Sequence, residues 1–222
     1  MLIGAIIGAI VIIIVIIFVL KNKSDIFENH DKNEREKAGK LGENIVAKRL
    51  NEIAKKYDGY LFNEFIFKDR YNENYSTEID HILITRGGVF VVETKYYTGI
   101  IYGKESDKEW VCFKQGNRRN ETPKNPLNQN QTHIRCLKRM FVNIPPKMIS
   151  VVIILRGDIS EIESNQLYNL DGATEMIETL TKQNQYSQEF VERIHSQILY
   201  IKNNYSISKE EHLKNIRRNH EK

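Results

Sequence analysis

The chain has 222 residues, a formal net charge of +4, 28% charged and 41% hydrophobic residues, and two cysteines. That length allows one domain with a proper core plus an appendage, and two cysteines rule out a disulfide-stapled scaffold. The mild basic excess permits a nucleic-acid partner without pointing to one, and there is no internal repeat or low-complexity tract.

The chain opens with Leu2 to Leu20 (LIGAIIGAIVIIIVIIFVL), an apolar run without a charge. It is about the length needed to cross a hydrocarbon core of ~30 Å. No Lys or Arg precedes it and no small-x-small cleavage site follows, so the run reads as an uncleaved transmembrane helix rather than a signal peptide. Lys21, Lys23, Lys32, Arg35, Lys37 and Lys40 come after it, and the positive-inside rule places the remainder in the cytoplasm, at the cell membrane. Gly4 and Gly8 make a GxxxG spacing beside Ala5 and Ala9, through which two such helices would pair as a homodimer. Residues 21–33 are polar and aperiodic, as in a juxtamembrane linker.

From Glu34 to Tyr57 a helical period takes over, with Leu41, Ile45, Val46, Leu50, Ile53 and Tyr57 along one stripe. Glu43 lies three, four and seven positions before Val46, Ala47 and Leu50, so it belongs to the inner side, flanked by Gly39 and Gly42. It is either an acid directed at a site or a strong helix former at the edge of the stripe.

Strand-like runs follow at Tyr60–Phe67, Glu78–Thr85, Val89–Lys95 and Glu109–Gln115. The second and third enclose Gly87-Gly88, which suits a two-residue turn. With those glycines as the turn, Arg86 pairs with Val89, Ile82 with Glu93 and Asp80 with Lys95. Directly opposed residues share a face and side chains repeat every second residue, so Asp80, Glu93 and Lys95 point the same way. Ile79, Leu83, Phe90 and Val92 occupy one face and Ile82, Ile84, Val89 and Val91 the other, as expected for an interior pair of a covered sheet.

Charged residues at the end of such a pair are costly to bury, which favours a chemical role over a surface ion pair. Two carboxylates with a backbone carbonyl are the hard oxygen ligands that Mg²⁺ or Mn²⁺ prefers. Such an ion acidifies a water and neutralises phosphate charge, while a lysine one pleat away orients the nucleophile or stabilises the transition state.

Residues 116–125 (GNRRNETPKN) form a polar loop in which Arg118, Arg119 and Lys124 either hold a phosphate backbone or are solvated. Pro126 opens a helix over Leu127–Val142, with Gln129 and His133 stacked on one face and Arg135, Lys138 and Arg139 in its later turns. Gln129 faces either the carboxylates or solvent. Ile149–Leu155 reads as a buried strand, Gly172–Leu180 and Ser187–Asn204 as helices, and Lys209–Lys222 as a tail too charged to bury. Cys112 and Cys136 fit reduced thiols, and no CxxC or HxxxH spacing marks a zinc site.

Glu43 on the first helix, Asp80 and Glu93-Thr94-Lys95 on a hairpin, Trp110 on a later strand and Asn125-Pro126-Leu127 leading to Gln129 together resemble the nuclease-related domain, NERD, a proposed branch of the PD-(D/E)xK nuclease superfamily. The resemblance covers about Lys37 to Leu155, and no proline precedes Asp80. It implies a restriction-endonuclease-like α/β core, a mixed sheet flanked by helices. It further implies Asp80, Glu93 and the Thr94 carbonyl as ligands of Mg²⁺ or Mn²⁺, Lys95 as the catalytic lysine, and Glu43 and Gln129 as supporting groups. Gln129 with His133 resembles the QxxxY/H helix motif of RecB-like nucleases.

The expectation is a single-pass membrane protein: an anchor over 1–20, a linker over 21–33, a nuclease domain over 34–155, a helical extension packed on it over 156–204 and a charged tail over 205–222. Its expected activity is Mg-dependent hydrolysis of phosphodiester bonds in DNA or RNA. The competing expectation is a catalytically silent, membrane-tethered nucleic-acid-binding or scaffold module with the same fold.

Overall fold

The computed structural model describes residues 33–114 and 120–220, together with Lys21. The expected span Leu2–Leu20, the Gly4/Gly8 pair, most of the linker, and Arg118 and Arg119 lie outside the described residues. Among the described residues no helix is long and apolar enough to cross a membrane. The chain divides after Leu41, and the unit Gly42–Lys222 holds the sheet and the cleft described below.

Helix α1 spans residues 33–56. Its buried stripe is Gly42, Val46, Leu50, Ile53 and Ala54, while Leu41 and Ile45, expected on that stripe, are exposed. Residues four apart stack along a helix, and the 42–46–50 row is the one that meets the sheet. Gly42 belongs to it because a Cβ there would stand 3.1 Å from Leu155 and 3.2 Å from Tyr96.

The sheet has six strands: β1 (Tyr60–Lys68), β2 (Ser76–Thr85), β3 (Gly88–Tyr102), β4 (Val111–Phe113), β5 (Met148–Asp158) and β6 (Leu167–Tyr168). Their order is β1-β2-β3-β5-β6, with β4 paired to the far half of β3. β1, β2 and β4 run antiparallel to their neighbours, whereas β3–β5 and β5–β6 are parallel. Parallel strands need a crossover, and α2 (Pro126–Met140) supplies the one between β3 and β5. After β6 come α3 (Leu170–Lys182), α4 (Gln188–Tyr205) and α5 (Lys209–His220).

Helices cover both faces. Ile82, Ile84, Val89 and Val91 meet Ile134 and Leu137 of α2 and Val191, Ile194 and Ile198 of α4. Leu83, Phe90, Val92, Val151 and Ile153 meet Val46, Leu50 and Ile53 of α1 and Ala173 and Ile177 of α3. Ile79 departs from expectation by packing with Ile82 and Ile84 rather than with Leu83. At this point Glu64 in β1 has φ 49, and the β1–β2 pairing is interrupted between Asn63↔His81 and Phe65↔Ile79.

Three further expectations need revision. The turn between β2 and β3 is Arg86-Gly87, and the register runs Thr85↔Gly88 to His81↔Val92 instead of Arg86 opposite Val89. Gly88 opens β3 at φ 141. The sheet continues past Leu155 through the rest of β5 to β6, so 156–204 is not helical throughout. Lys209–Lys222 was expected to be too charged to bury, yet α5 packs against β1 and β2 with His212 and Asn215 buried. Its inward positions are polar and are satisfied by hydrogen bonds rather than by apolar contact.

Candidate functional site

The β2–β3 ladder ends at His81↔Val92. One step further the strands part, and the Thr94 amide donates to Asp80 Oδ2 at 2.8 Å. The observed register differs from the expected one by two residues, an even number, so Asp80, Glu93 and Lys95 still share a face. Glu93 is 1% exposed. Its Oε1 accepts from Lys95 Nζ at 2.5 Å, and its Oε2 lies 3.2 Å from His133 Nδ1 on α2.

Helix α2 is aimed at this point by its own start. Asn125 caps it, its Oδ1 accepting from the Leu127 amide at 2.9 Å, and Pro126 occupies the first turn. The Asn125 Nδ2 donates to the Glu105 and Asp107 carbonyls, tying down the loop after β3. Trp110 Nε1 donates to the Lys104 carbonyl in that same loop, so Trp110 and Asn125 brace the site from behind. Asn130, fully buried, donates through Nδ2 to the Val91 carbonyl at 2.9 Å and to Ser150 Oγ at 3.0 Å, locking α2 to β3 and β5.

The result is a cleft of about 630 Å³ that gathers Glu43, Asp80, Glu93, Thr94, Lys95 and Gln129, with His133 beside them. The acids, the lysine, Thr94 and Gln129 expected from the sequence therefore line one cleft, across α1, β2, β3 and α2. The remaining wall was not foreseen: Ser76, Thr77 and Glu78 of β2 with Lys209, His212 and Ile216 of α5. A second hollow of about 540 Å³, between the end of α2 and α4, is lined by Met140, Phe141, Tyr200 and Ile201 and has no carboxylate or histidine in its walls.

The electrostatics divide the acid pair. Burial, then the neighbouring Glu93 charge, pushes the Asp80 carboxyl well above the usual carboxylate range. Burial acts on Glu93 in the same sense, but the Lys95 charge and His133 outweigh it and hold Glu93 below that range. Burial would lower Lys95, and the surrounding Glu93, Tyr97 and Asp80 raise it instead, so its ammonium stays protonated. Burial lifts the Tyr97 phenol to about 12.

These residues fit a divalent cation. Glu93 Oε2 is buried without a well-formed hydrogen bond, and Asp80 is driven toward protonation where a cation would serve in the proton's place. Among the described residues no cluster of three or more His, Cys, Asp or Glu side chains closes around a single point, so backbone carbonyl and water would complete the shell.

Fold and cleft define a mixed α/β protein whose central strand pair parts beside two acids, one of them fully buried, and a lysine. The family model of the nuclease-related domain matches residues 38–155, more than half of the chain, and the chain belongs to that family. An uncharacterized protein of Bacillus anthracis is 40% identical over 101 residues, 45% of this chain. The chain spans less than half the length of that curated relative, 45%. No solved structure matches the chain.

Proposed function

We propose that the domain is a nuclease of the restriction-endonuclease-like type, hydrolysing phosphodiester bonds in nucleic acid, DNA first, with Mg²⁺ or Mn²⁺ as cofactor. The observation that carries this reading is the half-buried Asp80 beside the buried Glu93, with Lys95 held 2.5 Å from Glu93, in the cleft of a nuclease-related domain. A binding module gains nothing from burying carboxylates where phosphate must approach.

In this reading Asp80, Glu93 and the Thr94 carbonyl hold the ion. A divalent cation held there would supply Lewis acidity toward a water and neutralise charge on the phosphate. Lys95, protonated and fixed by Glu93, directs an N–H at the attacking oxygen or at a phosphate oxygen, and its constant charge offsets charge developing there. His133 braces the other Glu93 oxygen, so the carboxylate cannot turn away. Glu43 and Gln129, at the margin of the cleft, support the shell or the substrate. The anchor Leu2–Leu20 holds the domain at the cytoplasmic face of the cell membrane, with Gly4 and Gly8 as the contact of a homodimer.

One observation favours the silent module instead. Lys95 and His133 stand against the two Glu93 oxygens, so part of the charge that a metal would neutralise is met without one. The two readings separate in a cleavage assay on the full-length chain, offered plasmid, linear and single-stranded DNA and RNA with Mg²⁺, Mn²⁺ or EDTA. Metal-dependent cutting that is lost in Asp80→Ala and Lys95→Ala is the expected result. No cutting by folded wild type with metal present would leave the tethered binding module.

A further inference from the structure

Helix α5 lies outside the residues that match the family, yet it forms a wall of the cleft. Lys209 makes an ion pair with Glu78 of β2, His212 Nδ1 bonds Ser76 Oγ at 2.8 Å, and Asn215 Nδ2 donates to the same hydroxyl at 3.4 Å. Asn219 Nδ2 reaches the Asn74 carbonyl at 3.1 Å. These hydrogen bonds hold α5 on β2 without the ion pair, and an ion pair whose lysine is 60% exposed adds little to stability. The pair is therefore free for another use.

Charge shows what that use is. Four carboxylates line the cleft, Glu43, Glu78, Asp80 and Glu93, against three lysines, Lys95, Lys124 and Lys209. With every carboxylate ionised the cleft is one charge negative, and a divalent cation turns it one charge positive. Lys95 is spent at depth on Glu93, with 23% of its side chain exposed. Lys124, just ahead of α2, is exposed, and Lys209 stands at the solvent edge. An ammonium has three N–H donors, of which one suffices for Glu78, so Lys209 can bridge Glu78 and a phosphate oxygen.

Resting on the nuclease reading above, we propose that Lys209 of α5 and Lys124 are the phosphate-binding groups that receive the sugar-phosphate backbone of a nucleic-acid strand at the cleft. Glu78 holds the Lys209 ammonium in position and screens it while the cleft is empty. Helix α5 is thus a substrate-binding element that this chain adds to the matched domain, and strand binding follows cation loading because only the loaded cleft is positive.

The test is equilibrium binding of the full-length chain to fluorescein-labelled single-stranded and duplex DNA across a salt series. Ca²⁺ replaces Mg²⁺ to limit turnover, and an EDTA arm is run alongside. Lys209→Ala and Lys124→Ala should each weaken binding several-fold and lower the slope of log affinity against log salt by about one. Lys209→Arg should restore it. Glu78→Gln breaks the same pair but releases the lysine, so it should bind as tightly as wild type or more tightly. Equal weakening in Lys209→Ala and Glu78→Gln would make the pair a brace only and overturn the proposal, as would an unchanged slope in Lys209→Ala. If wild type cuts DNA with Mg²⁺ while these variants bind alike, the nuclease reading stands and the α5 role falls. If wild type neither binds nor cuts with metal, both fall.

Discussion

Asp80 is the most telling single residue, because its environment works against its own charge. It is half-buried beside Glu93, and its carboxyl is raised well above the ordinary range by desolvation and by that neighbour. A carboxyl raised in the folded state binds its proton more readily folded than unfolded. It therefore stabilises the metal-free protein below the ordinary carboxylate range, and this stability is lost as pH rises through the raised value. Asp80→Asn keeps an acceptor for the Thr94 amide and removes the charge. Thermal melts in EDTA should show it a few degrees more stable than wild type at neutral pH, with the difference vanishing in acid. A less stable variant at neutral pH would mean that the ionised Asp80 is compensated in the metal-free state. The cation makes the complementary prediction: Mn²⁺ at a hundredfold excess over its dissociation constant should stabilise wild type by about 2.7 kcal/mol, and Asp80→Asn by far less. The shared face of Asp80, Glu93 and Lys95 was legible in the sequence because side chains alternate strictly along a strand. The direction of the Asp80 shift was not, since it depends on what is packed above it.

At the scale of the element, the hairpin and α2 show how far local rules reach. A glycine pair between apolar runs announces a tight turn, yet the turn falls on Arg86-Gly87. Thr85 Oγ1 accepts from the Gly87 amide and bonds Thr181 Oγ1 on α3, and a Cβ on Gly87 would lie 2.5 Å from the Thr181 amide nitrogen. A partner ninety-six residues away in sequence selects the turn. Gly87→Ala should therefore destabilise the protein by about 1–3 kcal/mol in urea unfolding through overpacking, far more than an ordinary exposed turn glycine would show. The start of α2 was legible from Pro126, but its docking was not. Asn130, fully buried, bonds the Val91 carbonyl and Ser150 Oγ, contacts that no periodicity marks. Asn130→Ala should cost about 1–3 kcal/mol by leaving buried polar partners unpaired, and it should weaken metal binding as His133 shifts with the helix. Unchanged stability would show that water replaces the amide.

For the whole molecule, the expected anchor gives a prediction of its own. The full-length chain should sediment with membranes and resist carbonate extraction, its domain cleaved by protease only after the cell is opened, whereas a chain lacking Leu2–Leu20 should be released. Release of the full-length chain by carbonate would leave the apolar run without a membrane role. The mixed α/β architecture follows from runs that any reader of the sequence meets: β-branched strands covered on both faces, and amphipathic stretches at α1, α2, α3 and α4. Alternation and helical period are local, so the sequence by itself determined those elements, the shared face of the acids and lysine, and the family. Tertiary structure alone decided the hairpin register, the interrupted pairing opposite Asp80, the docking of Asn130 of α2 on β3 and β5, and the docking of α5 beside the acids. Each depends on partners distant in the chain, as Ser76 and His212 are, 136 residues apart. A polar helix such as α5 is docked through specific hydrogen bonds of His212 and Asn215, which leave no apolar stripe in its own residues.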